Sequence, residues 1–452
     1  MRLKIIYGLL LSSMVTVMLM VTGCSKDNSS YQSLLQSPRL TSENEAIRLA
    51  LKTILPDEYQ MVSAKMDSGE AIKYADVDGD GKKEVVFFYS SGSYSPYVEC
   101  VVMKKNTGTW KRIIQKTCDG YDINKIIFGD MNGDGKEEMA VLWSDRYAEE
   151  REEYNLMELF SFEGNSLKSI FQTKCSDIAM DDINKDSRKE LFVFRFDNKS
   201  MHSSMSVYTA SANMKIHQYA PEVPLQQSAY FYNFVFGSAG HGKNALFLDG
   251  GIGAHSGITE IIVDEGGRLK RLYIRPSKEY GDIRVKPYST NSKDFDSDGV
   301  MEVSQLKPLP GYENSSMAAT QWLTEWFKWD GASGLIFSGM TYENYDGGYS
   351  LRLPGTWRNQ LFIRMIGKKG TSGSIELQKL ADRKTLYKLY ILTLKGDYDA
   401  QVAALKKNEP EAVEIVRHLN KVVFAVIPEN TNYNGVSVTP EFLKKELSFS
   451  LE

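Results

Sequence analysis

Asp76-Val77-Asp78-Gly79-Asp80-Gly81-Lys82-Lys83-Glu84 runs straight into Val85-Val86-Phe87-Phe88-Tyr89. Side-chain oxygens at the first, third and fifth positions point inward when a backbone curls around a hard cation. A glycine at the sixth position permits the sharp turn, the seventh offers its carbonyl, and a last carboxylate completes an all-oxygen shell. That donor set suits Ca²⁺ better than Mg²⁺, which prefers fewer protein ligands and stricter octahedral geometry. The EF-hand begins in the same way but needs a bidentate glutamate at the twelfth position. Here the twelfth residue is Phe87, inside an apolar run that reads as a buried strand rather than a helix.

The pattern recurs three times. Asp130, Asn132, Asp134, Lys136 and Glu138 occupy the first, third, fifth, seventh and ninth positions of a second copy, with Gly135 at the sixth. Asp182, Asn184, Asp186, Arg188 and Glu190 form a third, in which Ser187 replaces the glycine and Lys185 intrudes. Asp294, Asp296, Asp298, Val300 and Glu302 form the fourth, with Gly299. Their twelfth residues, Val141, Val193 and Gln305, are not acids either. Up to four calcium ions are expected, with the copy at 182 the weakest. Ligand charge ranks the copies at 76 and 294 first, because each offers four carboxylates.

The copies begin at 76, 130, 182 and 294, and the last gap is about twice the others. A missing copy therefore belongs near 238, where Phe236-Gly237 stands as Phe128-Gly129 does before the second loop, but the acids are gone. A period of about 50 residues holding several short strands predicts one propeller blade per repeat. In the second repeat the strands fall at about 124–129, 138–144, 154–162 and 167–174. The repeats resemble the FG-GAP family of integrin α-chains and bacterial surface proteins, and the related VCBS-like repeats. That resemblance implies a calcium-loop β-propeller, although this chain uses Glu where the commonest pattern has Asp at the ninth position.

The expected fold is therefore mainly β: a five-repeat β-propeller over 57–340 and a small α+β domain over 341–452. The alternating segment Tyr349-Ser350-Leu351-Arg352-Leu353 opens that last domain. Further strands are expected at 360–366, 374–379, 386–394, 412–417 and 421–427, and helices near 399–407 and 440–447. Ahead of the repeats, Ser42 and Glu45 spell a capping box for a short helix over 42–56, stopped by Pro56. Tyr59 to Met66 is expected to close the ring by completing the last blade.

Arg2 and Lys4 precede an apolar run that ends in Val21-Thr22-Gly23-Cys24. A basic start, a short apolar stretch and small residues before the cut predict an export signal over 1–23. The placement of Cys24 resembles the lipobox of bacterial lipoproteins. It implies a lipid on Cys24, a polar tether over 24–41, and a place on the outer face of the cytoplasmic membrane. Apart from Cys24 only Cys100, Cys118 and Cys175 remain. At most one disulfide can form, and Cys100 and Cys118 are either that pair or buried thiols.

With 54 basic and 58 acidic side chains, a net charge of −4 and a pI near 5.9, no electrostatic grip on nucleic acid is expected. Five histidines leave little material for a zinc enzyme. Gly237 to Asn244 nearly spells a phosphate-binding loop, but Asn244 replaces the hydroxyl that would hold magnesium and a strand follows. Asp249, His255 and Ser256 invite a triad reading without any nucleophile elbow. Trp322, Trp326, Phe327 and Trp329 read as blade core. No catalytic motif stands out. The expected role is a binding module at the cell envelope, engaging another envelope protein or a glycan. The rival is a polysaccharide lyase or glycosidase with its site in the propeller's central pocket.

Overall fold

The structure, a computed structural model, describes residues 42–66, 69–92, 97–120, 122–144, 155–197, 202–226, 230–253, 255–367 and 373–449. The signal segment 1–23, Cys24 and the tether 24–41 lie outside the described residues. The described residues fall into two compact units: those within Met1–Asp57 together with Lys105–Arg112, and those within Glu58–Lys104 together with Ile113–Glu452.

In the first unit a helix runs over Ser42–Ile54. Ser42 is its first residue rather than the residue before it, and Pro56 follows the last turn, where it cannot supply a backbone N–H. Glu43 accepts a hydrogen bond from Trp110 Nε1 at 3.0 Å and pairs with Lys105, both on the hairpin segment of that unit.

The second unit is mainly β. Its strands form antiparallel sheets that follow one another along the chain. The first holds Ile72–Ala75, Glu84–Ser90, Val98–Asn106 and Thr109–Cys118, of which the hairpin end Lys105–Arg112 belongs to the first unit. The second holds Asp122–Gly129, Glu138–Ser144, Asn155–Glu163 and Ser166–Cys175, within two residues of the expected strands. The third is Asp177–Asp181, Glu190–Asp197, His202–Ala210 and Ile216–Leu225. The fourth is Tyr230–Gly240, Lys243–Gly251, Gly257–Asp264 and Leu269–Arg271, with Val285–Lys286 at its side. The fifth runs Val303–Pro308, Trp322–Trp329, Leu335–Asn344 and Tyr349–Leu353.

The first four residues after each of the first three acidic loops are apolar because the strand's two faces serve different neighbours, whereas Ser304 and Gln305 interrupt the run after the fourth. In Glu138–Ser144, Met139, Val141 and Trp143 pack with first-sheet residues such as Phe88 and Val102. Ala140 and Leu142 pack with Leu191 and Val193 of the third sheet. Phe192 and Phe194 then meet Leu246 and Leu248 of the fourth, and Phe247 meets Val303 and Phe327 of the fifth. Each such side chain contributes about 1.5–3 kcal/mol on burial, so a sheet lacking a neighbour would forfeit half its core.

Two placements differ from expectation. Gln60–Val62 pairs with Ser90, Tyr89 and Phe88, so this strand lies in the first sheet and not the last. Pairing within the first repeat closes a far shorter loop. Tyr349–Leu353 pairs with Leu335–Asn344, across the expected 340/341 boundary, and on its other side with Leu447–Phe449. The C-terminal strands Leu361–Met365, Ile375–Lys379, Thr385–Thr393, Lys421–Val426 and Val413–His418 form a further sheet, and helices run over Tyr398–Asn408 and Pro440–Glu446. Ile363, Leu377 and Leu389 of this sheet share one core with Met340, Tyr342 and Leu351 of the fifth. Leu443 of the helix Pro440–Glu446 joins the same core, so the buried face of Tyr349–Leu353 is covered by that helix as well as by the C-terminal sheet.

Cys100, Cys118 and Cys175 are buried free thiols. Burial raises all three, Cys118 and Cys175 to about 12.

Candidate functional site

The four acidic loops share one internal geometry. The first-position aspartate accepts a hydrogen bond from the backbone N–H of the sixth residue in every copy. Gly81 donates to Asp76 and Gly135 to Asp130, both at 2.8 Å; Ser187 donates to Asp182 at 2.8 Å and Gly299 to Asp294 at 2.9 Å. The ninth-position glutamate accepts from the second residue: Val77 to Glu84, Met131 to Glu138, Ile183 to Glu190 and Phe295 to Glu302. The fifth-position aspartates Asp80, Asp134, Asp186 and Asp298 accept from Lys82, Lys136, Arg188 and Val300. The sixth residue is left-handed throughout, with φ of 79°, 83°, 69° and 85°. Glycine adopts this freely, whereas Ser187 does so at a cost.

The loops are also strung together. Glu137, eighth in its loop, donates its N–H to the Asp76 carbonyl at 2.8 Å, and Lys189 does the same to Asp130 at 2.7 Å. Met301 donates to the Ser238 carbonyl at 2.8 Å. Ser238 thus stands where the missing copy's first residue belongs. There the chain turns directly from Tyr230–Gly240 into Lys243–Gly251, so the near-match to a phosphate loop is a tight hairpin.

Two clusters bring carboxylate oxygens within 4.8 Å of one another and could hold a metal ion: Asp76, Asp78 and Glu84, and Asp294, Asp296 and Glu302. Both already contain an ammonium group, which sequence reasoning missed. Lys104 Nζ pairs with Asp78, lies 2.8 Å from Asp80 and 3.6 Å from Glu84. Lys328 Nζ lies 2.8 Å from Asp296, 2.5 Å from Asp298 and 3.2 Å from Glu302. In the loop at 182, Arg188 pairs with Asp186 at 2.7 Å and Asn184 Nδ2 donates to Glu190 at 3.0 Å. The ninth-position glutamates are buried, and burial raises all four, Glu138 to about 7 and Glu190 to about 8.

The fourth sheet holds a different polar centre. Asp249 accepts from Asn233, Thr259 and Ser292 and pairs with Lys286 at 3.2 Å. None of these partners is His255 or Ser256, so the triad reading has no geometry here.

A cavity of about 390 Å³ opens beside the fifth sheet. Tyr288, Trp322 and Tyr345 line it together with Glu343 and Asp346. Trp322 meets Tyr288 edge-on at 5.6 Å, and its buried Nε1 lacks a hydrogen-bond partner. Tyr345 is 85% exposed. Of the four aromatics read as core, Trp326, Phe327 and Trp329 are buried, and Trp322 is instead a wall of this cavity. Among the described residues no helix is long and apolar enough to cross a membrane.

Several solved structures align with most of the chain. An exotype rhamnogalacturonan lyase is 11% identical, with 74% of this chain and 84% of that chain covered and a TM-score of 0.28. An exo-β-1,3-galactanase from Phanerochaete chrysosporium is 10% identical, covering 75% and 80%, also with a TM-score of 0.28. A β-1,3-galactosidase is 8% identical, covering 64% and 95%, again at 0.28. No curated protein matches the sequence. Residues 66–141, which hold the first two acidic loops, match the FG-GAP-like repeat family.

Proposed function

We propose that the chain is a β-propeller tethered by a lipid on Cys24 to the outer face of the cell membrane, where it binds an envelope glycan without catalysis. The successive sheets are its blades, and the acidic loops hold cations through oxygen donors, calcium among them. The observation that carries the binding role is the cavity walled by Tyr288, Trp322 and Tyr345. Sugar C–H faces stack on such rings.

The test is retention of envelope polysaccharide by the full chain and by Trp322→Ala and Tyr345→Ala. Both variants should lose retention while melting as the parent does. Undiminished binding by both refutes the cavity as the site. Glu343 and Asp346 in the same cavity support the second reading, a glycosidase or lyase. Release of new reducing ends, abolished by Glu343→Gln or Asp346→Asn, would establish it. Failure of Cys24→Ala to shift the chain from the membrane fraction would remove the lipid anchor.

A further inference from the structure

Strand register places one residue opposite the ninth-position glutamate of every acidic loop. Val85 pairs with Met103, so Glu84 faces Lys104. Met139 pairs with Phe160, so Glu138 faces Ser161. Leu191 pairs with Tyr208, so Glu190 faces Thr209. Val303 pairs with Phe327, so Glu302 faces Lys328. Lysine therefore stands at this position in the two loops with four carboxylates, and a neutral hydroxyl in the two loops with three. The first-, third-, fifth- and ninth-position side chains and the facing residue together carry three formal negative charges in each case.

We infer that Lys104 and Lys328 are the resident cations of the loops at 76 and 294, and that calcium is left to the loops at 130 and 182. Each ammonium sits among three carboxylates, two of which belong to the converging cluster of its loop: Asp78 and Glu84 for Lys104, Asp296 and Glu302 for Lys328. A divalent ion entering there must expel the ammonium, and the displaced charge, still tethered to the neighbouring strand, repels the newcomer. The order of affinities expected from carboxylate count is thereby reversed. The loop at 130 becomes the tightest site, since it has a neutral residue opposite and, unlike the loop at 182, no arginine on its fifth-position aspartate. The assignment of calcium to those loops rests on the function proposed above, whereas the lysine assignment does not.

The experiment separates the two. The full chain in detergent, with Lys104→Met and Lys328→Met singly and together, is melted in EDTA and titrated with calcium chloride by calorimetry. Each substitution should lower the melting temperature in EDTA by several degrees and add one calcium ion to the stoichiometry. Asp78→Asn placed on Lys104→Met should restore part of the lost melting temperature, because one excess charge is gone; a lysine acting only through its packed stem would give no such rescue. Unchanged melting in EDTA, or loss without rescue, overturns the lysine assignment, as does a parent chain that binds four ions. Should both lysine variants destabilise with rescue while no chain binds calcium, the lysine assignment stands and the calcium reading falls.

Discussion

Replacing Lys286 with methionine should be among the most damaging single changes in the fourth sheet. Both side chains of the Lys286–Asp249 pair are 0% exposed. Burial pushes Lys286 down, and the pair survives because Asp249 faces it at 3.2 Å while the Thr290 carbonyl and Ser304 Oγ accept its other protons at 2.8 and 3.1 Å. Burial pushes Asp249 up, but Lys286 and the donors from Ser292, Thr259 and Asn233 outweigh it and hold the carboxyl below its usual range. Methionine would fill the volume and strand an ionised carboxylate. Breaking a buried pair from one side costs about 3–5 kcal/mol. The donors that remain on Asp249 place this case at the lower end, about 3–4 kcal/mol. In a chain of this size each kcal/mol moves the melting temperature by about 2 °C, so a fall of about 6–8 °C is expected. Circular dichroism melts in EDTA would measure it, with Asp249→Asn/Lys286→Met as the companion. The double variant removes both charges and should recover part of the loss. A shift within 1 °C for Lys286→Met, or a double variant no better than the single, would refute the account.

Ser187→Gly relieves a left-handed residue and should raise the melting temperature by about 1–2 °C, a gain of roughly 0.5–1 kcal/mol after glycine's own entropy cost; a lower melting point would contradict it. Glu260 is buried without a hydrogen bond, and burial outweighs Arg271 and Arg284 to raise it. A raised folded value means the native state holds the proton longer, so stability falls as pH rises above the unfolded value near 4.3. The melting temperature of Glu260→Gln relative to the parent should therefore climb between pH 4 and 7, and a decline across that window would reverse the sign. Cys100, Cys118 and Cys175 should resist a thiol reagent at pH 8 until the chain is unfolded, and fast labelling of any of them in the native chain would show that its burial is misplaced.

The acidic loops made much of the fold legible, because a nine-residue turn between two strands fixes where each strand starts and which face is apolar. The C-terminal strands, which follow no acidic loop, were readable from their own apolar runs. Partnership was not. Tyr349–Leu353 alternates as any half-buried strand does, and nothing within it reveals that Leu335–Asn344 and Leu447–Phe449 are its neighbours. The cations of the acidic loops were hidden in a similar way. Lys104 and Lys328 lie 28 and 34 residues after the first residues of their loops, so no fixed spacing exposes them. A trace was present in Lys328, set between Phe327 and Trp329 in a strand otherwise bound for the core. Asp249 and Lys286 met only through tertiary packing.

The strand Leu447–Phe449 lies far along the chain from Tyr349–Leu353, the edge that it covers. A polypeptide emerging N-terminus first, from a ribosome or through a membrane pore, must hold that edge open until residues 447–449 arrive. Until then the backbone of Tyr349–Leu353 is an unpaired template that another chain can extend. Order of emergence thus makes the fifth sheet the last of the series to finish. Premature termination anywhere between Leu353 and Leu447 would release a product with one sticky edge, a form that quality control would meet as an aggregate rather than as a shortened monomer.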